Sequence, residues 1–205
     1  MNETVLFITL GSSAVVHFVT TCVMGLFARH RVQYLCLAWV NGIFFCAALV
    51  ASFFSRMIVN GEPGILHPAM LLALLCTCYL QSIYPLSIPM PAYLQWGRMW
   101  KYAAPAIVLI VIYIPIFLFV DELLIVPSVK DLAANFYKTD LILRFAALGL
   151  CIYYIVNIFR LPHSLAKSAD VPNYLFGYCT VLGVIVLYYM FVSIYYDPMH
   201  LMVYV

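Results

Sequence analysis

The sequence predicts an all-α membrane protein, a polytopic bundle of six transmembrane helices. Hydrophobic residues make up 66% of the chain and charged residues only 9%, and the mean hydropathy is +1.04. A soluble domain needs more polar surface than this composition supplies. A helix needs roughly 20 apolar residues to cross the ~30 Å hydrocarbon core. Six stretches of about that length are predicted, at residues 5–27, 34–54, 65–84, 102–120, 141–159 and 173–195.

Charges and turn formers delimit the first three spans. Arg29 and Arg31 close the first span, and Arg56 lies just beyond the end of the second. Residues 60–64, Asn-Gly-Glu-Pro-Gly, are rich in turn formers and separate the second span from the third. The third span ends where Pro85 begins a series of prolines.

The last three spans have similar boundaries. Residues 93–101 mix tryptophan with basic side chains, as is typical of a membrane interface, and Pro115 is expected to kink the fourth span that follows. The connection 123–140 is partly apolar and partly charged, which predicts an extracytoplasmic loop with a short interfacial helix. Arg160-Leu161-Pro162 ends the fifth span, and Pro172-Asn173 signals the start of the sixth.

The last residues turn apolar again. Asp197-Pro198 predicts a turn after the sixth span, and residues 199–205 then carry almost only hydrophobic side chains. We interpret this segment as the start of a truncated seventh span. The alternative is a short apolar tail lying at the interface. A seventh span would lead the natural protein into the cytoplasm, where a soluble domain is expected.

The distribution of charge predicts that the N-terminus lies outside. Only lysine and arginine carry the topology rule, and the acidic residues are supporting evidence. With the N-terminus outside, the cytoplasmic connections hold Arg29, Arg31, Arg98, Lys101, Arg160 and Lys167, against Arg56, Lys130, Lys138 and Arg144 on the outer side. The acidic residues of the outer side would be Glu3, Glu62, Asp121, Glu122, Asp131, Asp140 and Asp197, against Asp170 alone inside.

Two arginines near the outer side are candidate ligand contacts. Ionisable groups inside a membrane cost about 2.5–3.5 kcal/mol at its centre, so each suggests a function. Arg144 lies one turn into the fifth span, and Asp140, four residues earlier, can pair with it. Arg56 lies at a comparable outer depth. Two guanidinium groups can hold a carboxylate or phosphate, whereas the alternative is that both arginines snorkel to the headgroups.

Two histidines complete the predicted ligand-binding set. His17 lies near the middle of the first span, where it is either a ligand contact or proton relay, or a neutral imidazole bonded to a neighbouring helix. His67 lies near the outer end of the third span. No second histidine matches the depth of His17, which argues against haem. We predict no metal site and no cofactor.

Catalysis is not predicted. The chain has no zinc-protease, nucleophile-elbow, P-loop or dinucleotide-binding motif. No paired carboxylates lie inside the spans, which weakens the hypothesis of a proton- or sodium-coupled transporter. The net charge of +2 is too small to predict that this segment binds nucleic acid.

One stretch resembles a known linker. Residues 82–89, Ser-Ile-Tyr-Pro-Leu-Ser-Ile-Pro, run into Tyr93 and into Trp96-Gly97-Arg98-Met99, and Arg160-Leu161-Pro162 follows the fifth span. This pattern and the overall layout are similar to the N-terminal membrane domains of Bacteroidetes AraC-type regulators and of some hybrid histidine kinases from the same bacteria. The resemblance implies a sensory domain in the bacterial inner membrane that signals to a cytoplasmic output domain.

The sequence therefore favours a non-enzymatic sensor that binds an unidentified small ligand from outside or from the lipid. Its partners would be the bilayer and that ligand. A homodimer would suit either kind of output domain, although no sequence feature demands one. One alternative is a small-solute transporter or channel, with a path lined by Asn41, Gln81 and Asn157. Another is an intramembrane enzyme that acts on lipid with His17 as its base.

Overall fold

A computed structural model shows a predominantly helical protein. It describes residues 3–28, 32–53, 63–87, 96–119, 124–165 and 173–196, and 90% of the interpretable residues are helical. The helices are α1 Glu3–Phe27, α2 Val32–Phe53, α3 Pro68–Ser87, α4 Trp96–Phe119, α5 Val129–Ala134, α6 Thr139–Leu165 and α7 Asn173–Ile194. Two short strands accompany them, β1 Gly64–Ile65 and β2 Tyr195–Tyr196.

Each of the six predicted spans corresponds to a long helix, although α3, α4 and α6 contain prolines. Helix α3 begins at Pro68 rather than at Ile65, and α6 continues through Pro162 to Leu165. Within the described ranges, four helices are long and apolar enough to cross a membrane: α1, α2, α6 and α7. The apolar parts of α3 and α4 are shorter, Met70–Ile83 and Trp100–Tyr113. Four such helices indicate a membrane protein. The count of six spans and the outer position of the N-terminus stay predictions.

The chain divides into two compact units, which are described separately. In the described part of the first unit, α1 and α2 pack side by side. The ring of Phe18 meets the ring of Phe45 at a centroid distance of 5.3 Å. A Cβ at Gly42 would lie 3.6 Å from Cγ2 of Thr21, so a small residue lets the two helices approach closely.

The second unit holds α3 to α7 and both strands. Helix α3 packs against α6 and α7, and α6 also packs against α4. Apart from Arg144 on α6, their buried contact surfaces carry mainly leucines, small residues and cysteines. The core they form includes Leu71, Leu74, Leu75, Cys78, Ala147, Cys151, Tyr154, Ile158, Leu175, Cys179 and Val186.

The packing of α6 against α7 depends on a glycine at one position. A Cβ built on Gly183 would lie only 2.4 Å from Cζ of Phe159, with two further ring atoms of Phe159 at 2.7 Å. Real Cβ atoms do not come so near to a ring. The absent side chain of Gly183 therefore makes room for the Phe159 ring between the two helices.

A two-stranded sheet and a third segment meet at one end of the second unit. Strands β1 and β2 pair antiparallel, with Gly64 opposite Tyr196 and Ile65 opposite Tyr195. On the other side of β1, the Ile65 amide donates to the Val126 carbonyl at 2.7 Å. We call this arrangement of residues 64–66, 124–126 and 194–196 the end sheet. It ties the connection before α3 to the connection after α4 and to the end of α7.

The predicted short helix in the connection 123–140 is present as α5. Ser128 is its N-cap, and the hydroxyl of Ser128 accepts a hydrogen bond of 3.3 Å from the Asp131 amide. This arrangement satisfies an amide that the first turn of a helix leaves open. The Ile142 amide donates to the Lys138 carbonyl, so α6 continues directly from this connection.

Candidate functional site

The most deeply buried charge in the described residues is that of Arg144 on α6. Its side chain is 1% exposed, whereas its partner Asp140 is 17% exposed. The two residues lie one turn apart on the same helix face, because four residues make slightly more than one turn. Nε of Arg144 donates to Oδ1 of Asp140 at 3.1 Å, and Nη2 donates to Oδ2. The sequence prediction of this pair is confirmed.

Arg144 also fastens two connections to α6. Its Nη1 donates to the carbonyl oxygen of Leu66 at 3.3 Å, and its Nη2 donates to that of Leu124 at 2.8 Å. Both carbonyls belong to the end sheet. The guanidinium therefore does not extend towards headgroups, as the snorkelling alternative requires. Its donors are used inside the protein, as a buried cation needs if it is to keep its charge.

Leu66 adopts an uncommon backbone conformation at this site. Its φ of 54° lies in the left-handed region, which costs a leucine free energy. The surrounding contacts hold it in place: its amide donates to the Ile194 carbonyl at 2.7 Å, and its own carbonyl accepts from Arg144. Strained residues persist where their surroundings specify them this closely.

Tyr113 adds a second helix, α4, to the same cluster. Its hydroxyl donates to Oδ1 of Asp140 at 2.7 Å, and its side chain is buried on α4. The Asp140 carboxylate therefore accepts bonds from α4 and from α6. We call Tyr113, Asp140, Arg144 and the carbonyls of Leu66 and Leu124 the arginine cluster.

His67 lies beside this cluster, in the connection just ahead of α3. Burial is the main cause that lowers its pKa to about 4 from an ordinary value of 6.5, and the positive charge of Arg144 lowers it further. A neutral imidazole is therefore favoured at neutral pH. Of the five predicted ligand contacts, the structure brings Asp140, Arg144 and His67 to one end of the second unit.

His17 belongs to the first unit and has a partner on the adjacent helix. Its Nδ1–H donates to Oδ1 of Asn41 at 2.9 Å, and its ring stacks on Phe44 at a centroid distance of 5.4 Å. The amide of Asn41 also donates to the Leu37 carbonyl at 2.9 Å. This is the bond to a neighbouring helix that the structural alternative predicts, and the role of His17 as a ligand contact stays a prediction. Arg56, the fifth predicted contact, lies outside the described residues.

A second polar cluster lies among the helices of the second unit. The Tyr102 hydroxyl donates to Oγ of Ser82 at 2.9 Å, and the Tyr154 hydroxyl donates to the Tyr102 carbonyl at 3.0 Å. The rings of Tyr102 and Tyr154 meet edge to face at 5.2 Å. Buried tyrosine hydroxyls need such partners, and these bonds connect α3, α4 and α6. This cluster gives two of the sixteen tyrosines of the chain a role in packing.

Sequence reasoning missed three members of the arginine cluster. Tyr113 gave a weak signal, because a hydroxyl in an apolar span needs a partner. The same property is shared by Tyr79, Tyr153, Tyr154, Tyr178, Tyr188 and Tyr189. The carbonyls of Leu66 and Leu124 gave none, since every residue has a carbonyl. The described residues contain no group of three or more His, Cys, Asp or Glu side chains that could hold a metal ion.

Comparisons with known proteins do not assign the chain to a family. No protein family model matches the chain, and neither a curated protein nor a solved structure matches it. Inference about function therefore depends on the geometry of the arginine cluster and on the pattern of the sequence.

Proposed function

We propose that this chain is a membrane-embedded sensory domain of a bacterial regulator or kinase, without enzymatic activity. The observation that supports the proposal is the buried Arg144–Asp140 pair, which fastens two connections to the start of α6. Such a pair is suited to a switch, because its partners are costly to separate unless another group replaces them.

The chemistry of the pair suggests the class of ligand. Removing one partner of a buried ion pair costs about 3–5 kcal/mol, because the other charge is left uncompensated. An anionic ligand that replaces the Asp140 carboxylate would avoid that cost, since its own carboxylate or phosphate can accept the bonds from Arg144. A neutral ligand would not. Asp140 is the partner that retains some exposure, so the ligand would approach from its side.

Signalling then requires two arrangements of the same helices. A ligand shifts their populations only by its difference in affinity between the two states. In the state without ligand, Asp140 binds Arg144, and Arg144 keeps its bonds to the Leu66 and Leu124 carbonyls of the end sheet. In the state with ligand, Asp140 and its bond from Tyr113 are released, so α4 and α6 can move relative to each other.

The proposal is tested with the full chain in lipid nanodiscs. Thermal unfolding is followed with a panel of short carboxylates, dicarboxylates and inorganic phosphate, and with the neutral amides of the same acids. We expect at least one anion to raise the midpoint of unfolding, its amide to have no effect, and Arg144→Met to abolish the shift. Arg160→Met, which removes an exposed arginine of the same helix, is the matched control and keeps the shift.

Two results would overturn this proposal. A shift that the amide reproduces, or that Arg144→Met retains, would show that the ligand does not replace Asp140. The transporter alternative is tested by solute flux in proteoliposomes. Flux that Asn157→Leu abolishes would replace the sensor hypothesis with a conduction path.

A further inference from the structure

The connection between α4 and α6 presents an unusual outer face. In α5 and the turn after it, Ser128, Asp131, Leu132 and Asn135 are half-buried and face the protein. The other side is exposed and apolar: the exposed fraction is 70% for Val129, 59% for Phe136 and 76% for Tyr137. We call residues 129–138 the connecting face. Three large apolar side chains exposed within ten residues need a partner of their own.

The position of Phe136 shows in which direction this face lies. Its ring contacts the ring of Phe145 at a centroid distance of 5.2 Å. Phe145 lies six residues into α6, about 9 Å along the helix from Thr139 at 1.5 Å per residue. The Phe136 ring therefore lies against the side of α6, past the first turn of the helix, and not beyond its N-terminal end. The connecting face is continuous with the exposed apolar side of α6, where Ile142 is also exposed.

The charges of this segment complement an anionic surface. Of the charged residues between 124 and 140, Asp131 receives a hydrogen bond from the Ser128 hydroxyl and Asp140 is paired with Arg144. Lys130 and Lys138 are exposed. Among these described positions, the outer face therefore carries two cations beside its aromatic side chains. Amphipathic segments with this pattern lie in the membrane interface, with apolar side chains in the acyl boundary and lysines at the phosphates.

We propose that the connecting face is a binding surface for anionic phospholipid. Phe136, Tyr137 and Val129 enter the headgroup–acyl boundary, and Lys130 and Lys138 contact the phosphodiester groups. Leu132, which packs against the core of the second unit, holds the opposite side of α5 on the protein. The exposed side of α5 is then the side that contacts the lipid.

The test uses tryptophan as a reporter in the full chain in nanodiscs. The native Trp39, Trp96 and Trp100 are replaced by Phe, and Tyr137→Trp or, in a second protein, Val129→Trp is introduced. Bromine atoms on lipid chains quench a tryptophan that they contact, and aqueous iodide quenches one exposed to water. We expect strong quenching by lipids brominated near the headgroup and weak quenching by iodide. Val184→Trp, on the exposed side of α7, is the control for a deep position.

The lysines are tested with brominated phosphatidylglycerol and brominated phosphatidylcholine at equal mole fraction. We expect phosphatidylglycerol to quench Tyr137→Trp more, and Lys130→Gln with Lys138→Gln to remove that difference. Lys101→Gln, which removes an exposed cation on α4, should retain the difference in quenching between the two lipids. Strong quenching by iodide would place the face in water, and protection from both bromine and iodide would indicate a covering protein chain. Either result overturns the proposal, as does equal quenching by the two lipids when the lysines are intact.

Discussion

The hydroxyl of Tyr113 on α4 donates a hydrogen bond of 2.7 Å to Oδ1 of Asp140 on α6. The same oxygen accepts from Nε of Arg144 at 3.1 Å. One carboxylate atom thus links two helices that are joined in sequence only through a long connection. The effect of changing any of these three side chains should depend on the other two, since all share the same buried contacts.

Arg144→Met should destabilise the protein by about 3–5 kcal/mol, because it breaks a buried ion pair and leaves the carbonyls of Leu66 and Leu124 without their donor. The free energy of unfolding is measured by denaturant titration in mixed micelles. Arg160→Met, at an exposed position on the same helix, is the control and should change that free energy by about 0.5 kcal/mol or less. Adding Asp140→Leu to Arg144→Met should cost less than the two separate changes together. Additive effects would contradict the pairing.

Tyr113→Phe should destabilise by about 1.5–3 kcal/mol, the usual contribution of a hydrogen bond to a charged group. The volume is almost unchanged, so the loss reports the bond to Asp140. Tyr153→Phe, at an exposed position on α6, is the matched control. In the Asp140→Leu background, Tyr113→Phe should cost much less, and an undiminished loss there would show that the hydroxyl has another role.

Gly183→Ala should destabilise by about 1–3 kcal/mol, because the new Cβ overlaps the Phe159 ring and forces the ring or the helices to move. Phe159→Leu shortens the side chain that clashes, so Gly183→Ala should cost less in that background. Gly149→Ala on α6 is the control, since a Cβ there would meet no atom within 4 Å. Thermal unfolding of the unchanged protein, the two single variants at Gly183 and Phe159, their double variant and Gly149→Ala checks this prediction. Equal costs at Gly183 in both backgrounds would mean that the ring is not the obstacle.

His67 should make stability depend on pH. In the unfolded chain its imidazole binds a proton below about 6.5, whereas the folded protein keeps it neutral down to a pKa of about 4. The unfolded state then binds more protons, so stability falls as the pH falls from 6.5 towards 4. Denaturant titrations across this range should show a smaller fall in His67→Gln. The same fall in both proteins would assign the pH dependence to other groups.

The bond between His17 and Asn41 should contribute about 0.6 kcal/mol, the average for hydrogen bonds between membrane helices. A double-mutant cycle with His17→Leu and Asn41→Leu measures this coupling as the deviation from additivity. Thr20→Val on α1 is the control, because its hydroxyl bonds to the carbonyl of its own helix. Absence of coupling would indicate that the two side chains act independently.

The helices could be predicted because their signal is local. Apolar runs such as the one in α7 define a helix without reference to the rest of the chain, and the pair Asp140–Arg144 follows from a spacing of four. The end sheet could not be predicted, since Gly64 and Tyr196 meet only through the closure of the whole second unit. The orientation, the role of Arg56 and the truncated seventh span stay predictions.

The pairing of β1 with β2 has a consequence for biosynthesis. Almost all of the second unit is synthesised between Gly64 and Tyr196, and contacts between such distant residues form late. Until α7 has left the ribosome and entered the bilayer, Leu66 lacks the Ile194 carbonyl that helps to hold its unusual backbone. Insertion of α7 should therefore be the step that fixes the Leu66 carbonyl, to which Arg144 donates.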